Sequence, residues 1–133
     1  AMKPISPSEY EVYRYLAAQT DLFLFDRPDS SVSRITSVAP IPNDIPFPPL
    51  EDGNLAIGDY VQINRTPGEL DQHQFPELHV ADTGDFVLSR VGFSPDEVVA
   101  LVHVHCHVAG YYVVFRRVGS TWHRELFHGS FIV

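Results

Sequence analysis

Three histidines alternate in the run Leu101-Val102-His103-Val104-His105-Cys106-His107-Val108. Alternation with a period of two is a strand signal, and it places His103, His105 and His107 on one face of a sheet. Imidazoles at i and i+2 on a strand can reach one ion, and the neutral ring suits zinc, copper or nickel. Without a metal, the same ladder offers a partner hydrogen-bonding groups that titrate near neutral pH. Cys106 lies between two of these rings in sequence but points to the opposite face. There a free cysteine reads as a small hydrophobe rather than a nucleophile.

Two glycine-containing turns must position this run. Ala109-Gly110 and Gly119-Ser120 both read as two-residue hairpin loops, which pairs Val108 with Tyr111 and Val118 with Thr121. Counting back from the turns, one face carries Val102, Val104, Cys106, Val108, Tyr111, Val113, Phe115, Trp122 and Leu126. The other carries His103, His105, His107, Tyr112, Val114, Arg116, His123 and Glu125. Both hairpins put the apolar residues on the same side, and a one-residue slip would invert a strand, so the agreement supports the reading. Arg117 and Arg124 fall on the apolar side, where their heads snorkel from its rim.

This register sets Arg116 across from His103, with His123 beyond it. A guanidinium beside the histidines opposes a dication and favours an acidic group. Glu125 is two strands from His105, with Val114 between. The expectation is therefore a metal-free binding face made of His103, His105, His107, Tyr112, Arg116, His123 and Glu125. It is open to solvent or covered by a second copy of the chain in a homodimer, and it meets an unknown protein or a small acidic ligand. The alternative is a metal-binding protein or metal-dependent enzyme that uses His103, His105 and His107. No phosphate-binding loop, paired-carboxylate signature or dinucleotide fingerprint is present, so no cofactor is expected. Ser89 and Arg90 have no base or glycine-rich elbow beside them, and no catalytic residue is assigned.

The chain opens with Ser6-Pro7-Ser8-Glu9, which reads as a capping box with proline at the first helical position. Ile5 can staple onto Tyr10, and Tyr10, Tyr13, Leu16 and Ala17 share one helical face, so a helix is expected over residues 7–19. Leu22-Phe23-Leu24-Phe25 suggests a buried strand, extended or paired by residues 32–39. Pro40, Pro42, Pro46, Pro48 and Pro49 rule out a helix or central strand, and residues 40–49 read as a surface connector. A second short helix is expected over residues 54–64, ended by Thr66-Pro67-Gly68. Strands follow at about 86–92, 98–108, 111–118 and 121–128.

The 133 residues suit one domain with one real core. With 17 acidic against 9 basic residues, the chain carries a net charge of −8, which argues against nucleic acid as a partner. No apolar run approaches a membrane span, so no membrane insertion is expected. The single cysteine allows no internal disulfide and leaves the compartment open: soluble, cytoplasmic or exported with a signal segment removed. Ala1 before Met2 reads as a cloning scar.

Two blocks carry a family resemblance. Phe86-Val87-Leu88-Ser89-Arg90-Val91-Gly92-Phe93 is followed by Ala100-Leu101-Val102, Gly110-Tyr111-Tyr112-Val113-Val114 and Gly119-Ser120-Thr121-Trp122, and the opening helix holds Glu9-Tyr10-Glu11-Val12-Tyr13. Together they resemble a family of small bacterial proteins without an established activity. The resemblance covers about a third of the chain and implies a fold and a bacterial origin, but no catalytic residue. Relatives often carry two cysteines in a glycine-rich turn where this chain has only Cys106, and the histidine run is not part of the family pattern. The fold expected from the elements is α+β: an N-terminal helix packed on a twisted antiparallel sheet of four to six strands, broadly cystatin-like. The expected function is a non-enzymatic binding or interaction domain.

Overall fold

The computed structural model describes residues 4–18, 31–36, 68–71, 73–74, 79–80, 84, 86–93, 96–105 and 109–132, with backbone alone at 31–36, 79–80, 109 and 125–132. The expected strand at 22–25, the proline-rich segment 40–49, the helix at 54–64, and Cys106 and His107 lie outside the described residues.

Helix α1 spans Pro7–Ala17 and starts as its sequence requires. Ser6 is extended, its Oγ accepts from the Glu9 N–H, and Glu9 Oε1 accepts from the Ser6 N–H at 3.1 Å. These bonds satisfy donors that a helix N-terminus otherwise leaves open. The buried stripe is Glu9, Tyr10, Val12, Tyr13 and Leu16, which adds Val12 and a carboxylate to the face read from spacing.

The strands are β1 (Ser31–Thr36), β2 (His79–Val80), β3 (Phe86–Ser89), β4 (Gly92–Phe93), β5 (Val99–His105), β6 (Ala109–Val118) and β7 (Thr121–Ile132). They form one sheet in the order β2-β1-β3-β5-β6-β7, with β4 also on β5. The five strands from β3 onward pair antiparallel, giving the α+β arrangement of one helix and an antiparallel sheet. One flank departs from the expected all-antiparallel sheet, because β1 runs parallel to both β2 and β3. Parallel neighbours need a long crossover, and the stretch between Thr36 and Phe86 is long enough.

The β6–β7 hairpin has the expected register, with Val118 opposite Thr121 and Gly119 at φ 64°, a region glycine enters without steric cost. The other turn is corrected. Gly110 takes no positive φ; it pairs with His105 on one side and Phe131 on the other, so Ala109-Gly110 belongs to the strand. Every β6 partner of β5 moves by four residues: His103 faces Tyr112, and Arg116 faces Val99. An even shift leaves both faces unchanged, so apolar alternation could not distinguish the two registers.

Irregular pairing, which also occurs at Ser33 on β1 and Ser130 on β7, accounts for two further corrections. Arg90 and Val91 interrupt what was expected as one strand at 86–92. Residues 89–91 then stand opposite two residues of β5, between the pairs Leu88–Val104 and Gly92–Leu101. On β7, Phe115 pairs with Arg124 but Val114 with Leu126, so Glu125 is the extra residue. Beyond it the alternation inverts: Leu126 lies opposite Val114 rather than with Val113 and Phe115, and His128 lies opposite Tyr112.

The core forms on the expected side. Val104, Val113 and Phe115 are fully buried and Trp122 nearly so, in one cluster with Tyr10, Val12, Tyr13 and Leu16 of the helix. At the rim, the Arg117 guanidinium lies 4.7 Å from the Trp122 ring centroid, a cation–π contact. The second face is not open along its length. Leu101 is 0% and Val114 1% exposed within the single chain, and Val99 and Tyr112 are buried too.

Candidate functional site

Strand β5 is held on both sides, by β3 and β4 and by β6, so its backbone is among the most constrained in the sheet. His103 and His105 project from this strand and are both half-buried. Their rings stack at 19° with centroids 6.4 Å apart. The Tyr112 ring, across from His103, lies 4.6 Å from it at 53°. His105 stands between Val87 of β3 and Gly110 of β6, so glycine leaves no cross-strand side chain on one flank.

Burial controls the protonation of this cluster. Desolvation first, and the neighbouring His105 second, lower the His103 pKa to about 4. The ring is therefore neutral at pH 7, rather than titrating in the ordinary histidine range. Burial also raises the Tyr112 phenol above its usual value.

The remaining predicted residues stand elsewhere. Arg116 is four residues along β6 from Tyr112, about 13 Å at the usual rise of a strand. It pairs across the ladder with His123 on β7. His123 is exposed, and its Nε2 lies 3.0 Å from Thr121 Oγ1. The same hydroxyl donates to the Val118 carbonyl at 3.1 Å. Glu125 stands at the β7 bulge. The candidate face thus divides into a histidine–tyrosine end and an arginine–histidine end. Among the described residues, no group of three or more His, Cys, Asp or Glu could hold a metal ion.

A buried polar cluster escaped the sequence reading. Arg90 donates from Nε to Glu9 Oε2 at 2.8 Å and from Nη2 to Glu9 Oε1 at 2.6 Å, and also to the Pro4 carbonyl at 3.2 Å. The Val91 N–H adds a bond to Glu9 Oε2 at 3.3 Å. The hydrogen bond to Glu9 raises the Arg90 pKa further. Gly68 closes the cluster: a Cβ there would meet Ile5 Cγ1 at 2.9 Å and Arg90 Cδ at 3.1 Å. Beside it, Tyr13 Oη donates to the Ser89 carbonyl at 2.7 Å, and Ser89 Oγ accepts from the His103 N–H at 2.7 Å. Ser89 Oγ donates its own proton to the Arg90 carbonyl. The serine therefore replaces the ladder acceptor lost at the bulge and is engaged structurally. The available signal was Glu9 itself, whose role in the capping box fixes one carboxylate oxygen and leaves the other facing the sheet.

No family model, curated protein or solved structure matches the chain. Among the described residues, no helix is long and apolar enough to cross a membrane.

Proposed function

We propose that the protein is a non-enzymatic binding domain whose β5–β6–β7 face receives an acidic group, from a partner protein or a small ligand, at the Arg116–His123 end. The observation that carries this reading is the cross-strand pairing of Arg116 with exposed His123 in a chain whose net charge is −8. Arg117 and Arg124 lie on the same hairpin but on its other face, Arg117 against Trp122, so the basic groups of this end are Arg116 and, when protonated, His123. Arginine suits carboxylates because its planar fork can donate two parallel hydrogen bonds.

A homodimer through this face would be confined to its half-buried and exposed residues, since Leu101 and Val114 are already buried within one chain. One N-terminal helix packed against the antiparallel strands β3–β7 supports a broadly cystatin-like layout. The parallel β1 flank is the departure from it.

Nitrogen-resolved NMR with an oligoglutamate peptide tests the binding reading. Saturable shifts centred on Arg116 and His123 are expected, weaker at high salt and lost in Arg116→Ala. Shifts absent, or spread evenly over the surface, would reject an acidic-group site there.

A further inference from the structure

The geometry points to a second site that does not depend on the acidic-ligand reading: His103 and His105 form a two-imidazole chelate for a borderline divalent cation of the zinc, nickel or copper class. Both residues lie on a strand that hydrogen-bonds to neighbours on either side, so the backbone that presents them is rigid. Their rings are already stacked, with centroids 6.4 Å apart. Two imidazoles sharing one ion through nitrogens about 2.0–2.1 Å from it have centroids roughly 5–6 Å apart. The rings are near-parallel and Tyr112 packs on His103, so the chelate forms when His105 turns one ring nitrogen toward the ion that His103 holds, without moving the strand.

The surroundings favour the cation. Gly110 opposite His105 leaves that flank free of a cross-strand side chain. Tyr112 packs against His103 and restrains its ring. The electrostatic objection to a dication rested on Arg116 standing across from His103. The observed register removes it, because Arg116 faces Val99 instead. Two protein nitrogens leave the other coordination positions to water, so the site is open and exchangeable rather than a closed structural centre.

Chelator-treated, tag-free full chain titrated calorimetrically with zinc chloride should take up one equivalent. His105→Ala should weaken uptake at least tenfold, while His123→Ala, at the other end of the face, should leave it unchanged. Substoichiometric copper(II) added to the unaltered chain provides a readout that needs no variant, with paramagnetic broadening expected first at the His103 and His105 ring protons. No saturable zinc uptake, uptake insensitive to His105→Ala, or broadening centred on another histidine would overturn the site. Because the oligoglutamate titration reads Arg116 and His123, either proposal can fail while the other stands.

Discussion

Arg90 holds the Glu9 carboxylate through two hydrogen bonds of 2.8 and 2.6 Å, with both side chains out of solvent. This pair ties the first turn of α1 to the bulge between β3 and β4, joining two segments far apart in the chain. Burying either charge alone is costly, so the pair holds only because each partner compensates the other and further bonds complete the carboxylate.

Breaking the pair from one side should therefore be severe. Arg90→Ala and Glu9→Ala should each destabilise the fold by about 3–5 kcal/mol in urea unfolding. A double variant that replaces both with apolar residues of similar volume should cost less than the sum of the two single changes. Additive losses would show that the two groups do not compensate each other.

Ser89→Ala should act more locally. It leaves the His103 N–H at the bulge without its acceptor, a loss of about 1–3 kcal/mol. Hydrogen exchange should speed at the His103 amide more than at Val102 or Val104. Equal protection in the variant would mean that the serine does not stand in for the ladder.

Phe115→Ala should cost about 3–5 kcal/mol, since the ring is fully buried between helix and sheet. A loss below about 1 kcal/mol would place Phe115 outside the core.

His103 should make stability depend on pH. Its folded pKa is lowered to about 4 from an ordinary 6.5, so the unfolded chain takes up the proton first on acidification. Its contribution is intact above about pH 6.5 and is lost as pH falls towards 4, a change on the order of 2–3 kcal/mol. Carboxylates titrate over part of the same range, so the informative quantity is the difference between the parent and His103→Phe. Urea midpoints with the same slope in both between pH 6.5 and 4 would contradict a buried neutral imidazole.

Local chemistry was legible in the sequence, and irregular pairing was not. Ser6, Pro7 and Glu9 announce the start of the helix, Gly119 marks a turn, and alternation assigns Val104, Val113 and Phe115 to the core. Each depends on near neighbours. The bulges at Ser89–Arg90–Val91 and at Glu125 each insert one residue, which leaves no periodic trace until partners are known. Ala109-Gly110 resembles a hairpin loop, yet Gly110 stays in strand conformation and the true pairing lies four partners away. That even shift kept the faces right while separating Arg116 from His103. Arg90 and Glu9 were obscured for another reason: a charge beside apolar residues reads as surface unless its distant partner is known.

The division of the face into two ends depends on the register of β5 against β6. Nuclear Overhauser contacts between ring protons test it directly. Cross-peaks between His103 and Tyr112 are predicted, from centroids 4.6 Å apart, with none from His103 to the Arg116 side chain. Cross-peaks from His103 to Arg116, with none to Tyr112, would contradict the register and return the guanidinium to the histidine site.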